Sequence, residues 1–387
     1  MKILMYAPIF PPMIGGPSTQ CFNLCKALRE RNERPVVVTV GEHFGISSPN
    51  GYPVYRYPWS YTYTPLDRLI RWAIFPFYFV RIVLRERPDI VHCHSVSALS
   101  FMAGWVARRR KIPSVIKFAG DWVWETLSTN RVRAKDFEEM YDSSLRARFM
   151  RSCERWGLRL FDMIWVPSQF RRSNVVELLG PSAPIRIIPN SLLLPAGGVR
   201  DMREGEAATV VSANRFIPHK RVSLIVRVFA RIAKPSDKLI LIGTGEEREI
   251  ELVRKEIISS GRAESIILTG KLSSEEVYEQ FSKAAVYVSA SLEEGFPNVF
   301  IEAMHFGLPI LSTDVGGCKE MITDGVNGFL VNPLDEEMFA KKLALLMHDR
   351  ELRNTLARNA FKVSKHYDLK VVIDQFMDMY RALLTHV

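Results

Sequence analysis

The chain has 387 residues, of which 47% are hydrophobic and 24% charged, a composition typical of ordered globular proteins and not of disordered ones. This length is about twice the ~100–200 residues of a usual domain, so we expect two domains with separate cores. The net charge of +10 lies in the first half: residues 1–190 carry 27 Lys and Arg against 15 Asp and Glu, and the remainder carries 25 against 27. A basic half favours an anionic partner, such as nucleic acid or an acidic membrane surface.

The cysteines are odd in number and scattered: Cys21, Cys25, Cys93, Cys153 and Cys318. The first residues, "MKILMYAPIF", run straight into a strand-like segment and do not have the pattern of a signal peptide. We therefore expect a cytoplasmic protein with reduced thiols. Cys21 and Cys25, four residues apart on a predicted helix, are interpreted as packing residues and not as metal ligands.

Short apolar runs alternate with segments of helical period along the whole chain. In the first half the runs are 2–7, 35–40, 89–94, 114–118, 163–168 and 185–190. In the second half they are 208–214, 238–243, 265–270, 285–291, 309–313 and 328–331. The runs are rich in Val and Ile and do not alternate with polar residues, which is typical of parallel strands buried on both faces. The sequence predicts two doubly wound α/β domains joined within 191–207, a segment rich in Pro, Gly and charge.

Ligands of such domains bind outside the carboxyl ends of the strands, so residues that follow strands are the candidates. Gly15 and Gly16 follow the first strand and precede Pro17, which is expected to open a helix. Two glycines at a helix N-terminus allow a phosphate to approach the backbone N–H groups. An ordinary flexible turn explains them equally well.

The segment "HCHS" ends the third apolar run. Strand alternation places His92 and His94 on one face, as a metal pair requires, but no third ligand lies at a recognisable spacing. We expect His94 to line the ligand cleft and expect no metal.

Residues 69–84, "LIRWAIFPFYFVRIVL", are apolar and aromatic but contain Arg71, Pro76 and Arg81. The run is too short and too charged to span a bilayer, which needs ~20 apolar residues. Its mixture of aromatic residues and arginine is typical of a helix lying in a membrane interface; the alternative is a buried helix with snorkelling arginines. Together with "RRRK" at 108–111, it leads us to expect peripheral binding to the anionic cytoplasmic face of a membrane. No nucleic-acid recognition motif is present, so we expect no nucleic-acid partner.

Two cations follow the first strand of the second half. Arg215 and Lys220 in "NRFIPHK" are five residues apart, on a loop and at the start of the next helix. Two cations beside a strand end suit a diphosphate, whose negative charge grows as it departs as a leaving group. A solvated basic helix start is the alternative.

Two weaker signals follow the next strands. Gly243 and Gly245 lie in "IGTGEE", which is not a Walker loop because no Gly-Lys-Ser/Thr follows. Gly270 and Lys271 end another strand, where their backbone amides have access to a nucleotide base.

The segment "EEGFPNVFIEAMHFGLPI" places carboxylates after a strand and on the helix that follows. A carboxylate accepts two sugar hydroxyls at once, so Glu294 is interpreted as holding a hexose and Glu302 a ribose. The intervening turn is expected to aim the amides of Asn298 and Val299 toward the ligand. The alternative, two surface acids at a helix N-terminus, is preferred for Glu293.

Taken together, these motifs resemble the retaining glycosyltransferases of GT-B fold in family four, also called glycosyltransferase group 1. The motifs that carry the resemblance occur in the right order over nearly the full length: the Gly-Gly loop, "HCHS", "VPSQF", "IPNS", "NRFIPHK", "IGTGEE", "EGFPNVFIEAMHFGLPI", "STDVGG" and "DGVNGFLV". The resemblance implies two Rossmann-like domains facing across a cleft. It implies an acceptor-side domain at 1–195, a donor-binding domain at 196–366, and a helix at 367–387 that crosses back to the first domain.

The resemblance also implies a function and its residues. A sugar would pass from a nucleotide-diphosphate sugar to a hydroxyl of a lipid-linked or growing glycan, with no cofactor and no metal. Arg215, Lys220 and Glu294 would be catalytic. The donor-binding set would be Gly15, Gly16, Gly243, Gly245, Gly270, Lys271, Gly295, Phe296, Pro297, Asn298, Val299 and Glu302.

The chain departs from the family pattern at one place. Many relatives carry a His after the strand that corresponds to 114–118, whereas this chain continues "KFAGDWVWE", so Asp121 is expected to contact donor or acceptor instead. A non-catalytic sugar-nucleotide-binding protein and a transferase acting on a soluble acceptor remain alternatives. A dinucleotide oxidoreductase is disfavoured because no Gly-x-Gly-x-x-Gly follows the first strand.

Overall fold

The computed structural model describes residues 1–385 except 14, 60–63, 121–122, 124–144, 196 and 200–206. The chain divides into two compact units. Unit 1 is Met1–Leu193 with Leu369–Val387, and unit 2 is Leu194–Asp368. No helix within the described ranges is long and apolar enough to cross a membrane.

Unit 1 is built on a sheet that has eight strands in the described residues. The strands are β1 (Lys2–Ala7), β2 (Arg34–Gly41), β3 (Gly45–Ser47), β4 (Val54–Pro58), β5 (Ile90–Cys93), β6 (Ser114–Lys117), β7 (Met163–Val166) and β8 (Ile185–Ile187). Their order is β3-β4-β2-β1-β5-β6-β7-β8, and all neighbours are parallel except β3 with β4. The direction of strand order reverses between β1 and β5, so the crevice for a ligand is expected at their carboxyl ends.

Helices cover both faces of this sheet. They are α1 (Gly16–Glu30), α2 (Pro65–Glu86), α3 (Ala98–Arg109), α4 (Leu145–Leu158), α5 (Gln169–Leu179) and α12 (Leu369–Thr385). One core cluster lies under α1 and α12 and another under α2 and α3. Serine and threonine caps begin several of the helices: Thr64 accepts from the amide of Asp67, and Ser97 from that of Ser100.

The C-terminal helix α12 belongs to unit 1. The amide of Leu369 donates to the carbonyl of Leu192 at 2.8 Å, and Arg31, directly after α1, forms an ion pair with Asp374. Phe376 is buried with its ring centre 4.8 Å from that of Trp165 on β7. A fully buried aromatic side chain of this size stabilises the fold by about 1.5–3 kcal/mol. The last helix therefore closes one face of the sheet built by the first half of the chain.

Unit 2 has a sheet of six parallel strands in the described residues. They are β9 (Thr209–Ala213), β10 (Lys238–Ile242), β11 (Ile266–Gly270), β12 (Val286–Ser289), β13 (Ile310–Thr313) and β14 (Gly328–Val331), in the order β11-β10-β9-β12-β13-β14. The helices are α6 (Val222–Ile232), α7 (Glu247–Ser259), α8 (Ser274–Lys283), α9 (Asn298–His305), α10 (Glu336–His348) and α11 (Arg350–Ser364). Here the direction of strand order reverses between β9 and β12.

The prediction of two doubly wound α/β sheets is confirmed, and all twelve predicted runs form strands. Two strands were missed. The first is β4, "VYRYP", which pairs in parallel with β2, and the second is the three-residue edge strand β3. Because β4 alternates aromatic and polar residues, it does not have the uniform Val and Ile composition by which the other strands were recognised.

Candidate active site

The site in unit 2 is built where the strand order reverses. Strands β9 and β12 are neighbours, with Val210 opposite Val286 and Val211 opposite Tyr287. Their carboxyl ends therefore open at the same edge of the sheet. The predicted residues after β9, Arg215 and Lys220, are brought to the same edge as the predicted residues after β12.

Lys220 and Glu294 meet at this edge. Lys220 ends a single 3-10 turn, Pro218–Lys220, and its Nζ donates to Oε1 of Glu294 at 2.6 Å. The side chains are only 16% and 10% exposed. A charge-assisted hydrogen bond in such shielded surroundings is stronger than an ion pair in water. The contact fixes the direction of both groups.

Glu294 is held from several sides. The hydroxyl of Ser291 donates to the same Oε1 at 2.7 Å, and the amide of Gly317 donates to the backbone carbonyl of Glu294 at 2.9 Å. The hydroxyl of Thr313, at the end of neighbouring β13, donates to the carbonyl of Ser291. The sequence analysis missed Ser291, Thr313 and Gly317. All three lie at or shortly after the ends of β12 and β13, and this position after a strand is the feature of the sequence from which they could have been predicted.

Arg215 is exposed and lies on a turn that packs closely against the backbone of two glycines, Gly243 and Gly245. Phe216 pairs with Gly245: its amide donates to the carbonyl of Thr244 at 3.0 Å. A Cβ on Gly245 would lie 1.9 Å from the carbonyl oxygen of Phe216, and one on Gly243 would lie 1.9 Å from that of Asn214. Both glycines are therefore explained by close backbone packing that supports the Arg215 turn.

His219 lies between the cations and was not predicted. Burial lowers its pKa to about 4, with the charge of Lys220 adding to the effect, that of Glu294 opposing it and that of Arg215 contributing last. The ring is therefore uncharged at neutral pH. Its backbone carbonyl accepts from the amide of Leu292 at 2.8 Å, which ties the Lys220 turn to the segment after β12.

Glu302 occupies the second turn of α9. The hydroxyl of Tyr278 donates to its Oε1 at 3.1 Å. Burial raises the pKa of Glu302 to about 7, and the Tyr278 hydrogen bond opposes that shift. The carboxylate therefore titrates near neutral pH. Tyr278, on α8, was not predicted, because no motif or spacing in the sequence connects it with Glu302.

The segment 295–299 joins the two carboxylates. Phe296 is buried, with its ring centre 5.5 Å from that of Tyr367, and Pro297 precedes the first turn of α9, which holds Asn298 and Val299. Phe296 thus anchors the turn from Gly295 into the helix.

Gly270 ends β11, at the far edge of the sheet, and Lys271 follows it. Gly270 has a φ of +73°, a left-handed conformation that favours glycine, and its carbonyl accepts from the amide of Gly243 at 2.9 Å. Lys271 is exposed.

In unit 1, Gly15 directly precedes the first turn of α1 and Gly16 begins it. The first turn of a helix leaves amides without intrahelical acceptors. The hydroxyl of Ser18 donates to the carbonyl of Met13 at 2.6 Å, which closes the turn on itself. The geometry fits an anion at this helix end.

His92 and His94 stack with ring centres 4.2 Å apart, on one face as predicted. His92 Nδ1 and the hydroxyl of Tyr380 hydrogen-bond at 2.7 Å, whereas His94 Nε2 lies 3.4 Å from the sulfur of Met5. Both rings are buried below the edge. Among the residues that the structure describes, no group of three or more His, Cys, Asp or Glu is arranged to hold a metal. Asp121 lies outside the described residues.

Two family models match the chain. "Glycosyl transferase 4-like domain" matches residues 15–191 and "Glycosyl transferases group 1" matches residues 202–363. Among curated relatives, the sulfoquinovosyl transferase of Arabidopsis thaliana is 25% identical over 92% of this chain and 68% of its own length. The N-acetyl-alpha-D-glucosaminyl L-malate synthase of Bacillus anthracis is 24% identical over 96% of this chain and 95% of its own.

Solved structures share the fold. Sucrose-phosphate synthase from Thermosynechococcus elongatus superposes with a TM-score of 0.81 at 19% identity, over 100% of both chains. HepE from Anabaena, solved in complex with UDP and glucose, gives a TM-score of 0.74 at 17% identity over 99% of this chain and 100% of its own. The two family models, the order of the motifs and this shared GT-B architecture agree: the chain belongs to the group 1 glycosyltransferases.

Proposed function

We propose that the protein is a retaining glycosyltransferase that moves a hexose from a nucleotide-diphosphate sugar to a hydroxyl acceptor. The observation that carries this proposal is the Lys220–Glu294 hydrogen bond of 2.6 Å at the edge where β9 and β12 end. It places a cation for the leaving group beside a carboxylate for the sugar. Backbone hydrogen bonds fix the main chain of both residues, which limits the reorganisation needed when the donor binds.

The diphosphate is assigned to the cations. Lys220 and Arg215 stabilise the charge that grows on the diphosphate as its bond to the sugar breaks. The two differ in setting, since Lys220 is shielded and Arg215 exposed. Side-chain cations supply the counter-charge in this proposal, so no metal is required. Within unit 1, the Gly15–Gly16 turn is itself proposed to bind a phosphate group.

The two carboxylates are assigned to hydroxyl pairs. Glu294 accepts from hydroxyls of the hexose, and Glu302 from the two hydroxyls of the ribose. Glu302 serves this purpose in its ionised form, which prevails above pH 7 because its pKa is about 7. In this proposal, Gly270 and Lys271 lie near the base.

In this proposal, the configuration at the anomeric carbon is retained without a nucleophile from the protein. Oε1 of Glu294 accepts from both Lys220 and Ser291, which holds the carboxylate as a hydrogen-bond acceptor. We assign the attack to the acceptor hydroxyl, on the face from which the diphosphate departs: its oxygen bonds to the sugar as the sugar–phosphate bond breaks, and its proton passes to an oxygen of the leaving diphosphate. Such a step depends on positioning more than on a general base.

The acceptor is proposed to be a lipid-linked or growing glycan at a membrane surface. Helix α2 turns Phe75 and Phe79 into the core, whereas Phe77 is 78% exposed. An outward stripe of Leu66, Ile70, Ala73, Phe77, Arg81 and Leu84 follows the helical period. An apolar stripe that contains an arginine near one end fits the interface of an anionic bilayer. The alternative, a buried helix, describes only the inner face of α2, which carries Phe75 and Phe79.

Neighbouring helices extend this surface. α3 packs against both α2 and α4. Trp105 of α3 is exposed with the guanidinium of Arg109 5.1 Å from its ring centre, and Phe149 and Trp156 are exposed on α4. Aromatic residues beside arginine recur on all three helices, which supports a broad membrane-facing surface at the cytoplasmic side.

The experiment is a thermal-shift panel of UDP-, GDP- and ADP-sugars, followed by a turnover assay with the nucleotide sugar that binds. We expect one nucleotide sugar to raise the unfolding midpoint and to be consumed with release of the nucleoside diphosphate. Binding without hydrolysis or transfer would support the non-catalytic alternative. No shift with any donor would contradict the proposal.

A further inference from the structure

A lysine side chain is buried at the carboxyl edge of the unit 1 sheet. Lys117 ends β6 and is 3% exposed. Its Nζ donates to Oδ1 of Asn190 at 2.7 Å and to Oε1 of Gln20 at 3.2 Å, and it lies 4.1 Å from the centre of the Trp165 ring. The ring face adds a cation–π contact. All three partners are neutral.

Among the described residues, the titratable groups around Lys117 do not carry a charge that compensates its ammonium. In the part of the chain that the structure describes, they are the Cys21 thiol of α1 and the imidazoles of His92 and His94 at the end of β5, with Tyr380 of α12 bonded to His92. Burial, and then the charge of Lys117, lowers the pKa of His92 to about 3; burial also lowers the pKa of His94 well below its usual value. Both rings are neutral at pH 7, and no carboxylate is among the described groups facing the ammonium.

Stability alone does not explain a lysine here. Burial lowers the pKa of Lys117 to about 7, against a smaller opposing effect of Cys21. An apolar side chain of similar length avoids the cost of burying the charge. The lysine must therefore contribute something other than stability.

The hydrogen bonds of Lys117 join two chain segments at the ligand edge. Gln20 lies in the second turn of α1, four residues after Gly16, and its Nε2 donates to the carbonyl of Ser191 at 3.2 Å. Asn190 precedes Ser191, in the segment that leaves β8. Lys117 thus connects the start of α1, the end of β6 and the exit of β8.

We propose that Lys117 is a positioning residue for the Gly15–Gly16 turn and that it acts as the protonated ammonium. The ammonium orients Gln20, which holds the start of α1, and it adds positive charge beneath a turn that suits a diphosphate. This inference rests on the proposed function, because it requires a diphosphate-bearing substrate. The diphosphate belongs either to the nucleotide sugar or to a lipid-linked acceptor.

The proposal predicts that activity falls at alkaline pH because Lys117 loses its proton. In the wild-type protein kcat/KM should fall about tenfold per pH unit above about 7, as the ammonium loses its proton. The KM of the donor carries this dependence if the turn binds the donor's diphosphate, and the KM of the acceptor carries it if the turn binds the acceptor's.

The decisive variant is Asn190→Asp. A carboxylate beside the ammonium should raise its pKa by about one unit or more. The falling limb of the pH profile then moves to higher pH by the same amount, and kcat/KM at pH 9 rises about tenfold relative to wild type. Asn174→Asp is the matched control: it adds the same charge to α5 of unit 1, where Asn174 bonds to Arg171, and should leave the limb in place.

A second variant separates positioning from structural support. Lys117→Met removes the donor to the buried amide oxygens of Asn190 and Gln20, so its unfolding midpoint should fall modestly. The folded variant should lose about 10–100-fold in kcat/KM at pH 6.5 and show no alkaline limb, and restoring the midpoint with a stabilising co-solvent should not restore kcat/KM. An unmoved limb in Asn190→Asp, or an equal shift in Asn174→Asp, overturns the inference while transfer by the wild type leaves the proposed function intact. Failure of the wild type to turn over any nucleotide sugar overturns both.

Discussion

The ammonium of Lys220 lies 2.6 Å from Oε1 of Glu294, although the two residues are 74 positions apart in the sequence. The strands that precede them, β9 and β12, are neighbours where the strand order reverses. The site therefore pairs the group assigned to the leaving diphosphate with the group assigned to the sugar. Donor binding requires Lys220 to turn part of its hydrogen bonding from Glu294 to a phosphate oxygen.

Glu302→Gln should change the pH dependence of stability. The pKa of Glu302 is about 7 in the folded protein against a usual 4.5, so the folded state retains a proton that the unfolded state loses. The contribution of Glu302 to wild-type stability should therefore fall as pH rises from about 4.5 to 7, by about 3 kcal/mol. The glutamine variant lacks this decrease.

Thermal unfolding of both proteins from pH 4 to pH 8 measures the effect. We expect equal midpoints at pH 4 and a higher midpoint for the variant at pH 8, together with weaker binding of nucleoside diphosphate. Parallel curves for the two proteins would show that Glu302 is not the group that titrates.

Tyr278→Phe should make the carboxylate of Glu302 harder to ionise. The Tyr278 hydroxyl stabilises the charged form at 3.1 Å, so its removal should raise the pKa of Glu302 above 7 by up to about one unit. Calorimetric binding of nucleoside diphosphate against pH shows the change as a shift of the rising limb to higher pH. An unshifted limb contradicts an ionised Glu302 at the ribose.

The strands were readable from the sequence because their burial on both faces requires continuous apolar runs. The positions of Lys220 and Glu294 after strand ends were predicted from the same pattern, but the hydrogen bond between them was not. The Lys117 contacts did not follow. Gln20 and Asn190 lie 97 and 73 residues away, and a lysine that ends an apolar run looks like an ordinary solvated strand end. The partners of Glu302 were hidden for the same reason, because Tyr278 lies on a different helix.

Membrane binding should depend on the outward face of α2. Each arginine near an anionic surface contributes about 1 kcal/mol, so Arg81→Glu in the outward stripe, combined with Arg71→Glu on its half-buried flank, should weaken binding at least roughly tenfold. Phe77→Asp should also weaken it. Ile258→Asp on α7 is the matched control, since Ile258 is 75% exposed and Phe77 78%.

Co-sedimentation with anionic and neutral vesicles across a salt series makes the measurement. We expect preference for the anionic vesicles at low salt, lost as salt rises. Equal weak binding to both lipids sinks the proposal, as does unchanged binding of the double arginine variant.

Release of nucleoside diphosphate from the nucleotide sugar that binds tests the central claim most directly, compared between wild type, Lys220→Met and Lys283→Met. Lys283 forms an exposed ion pair with Glu279 on α8 and is the matched control. Loss of Lys220 leaves Glu294 bonded to Ser291 and should cost about 1–3 kcal/mol of stability, while kcat falls about 10²–10³-fold. The Lys283→Met variant should turn over the nucleotide sugar at the wild-type rate. Turnover in folded Lys220→Met equal to that of wild type would contradict the account.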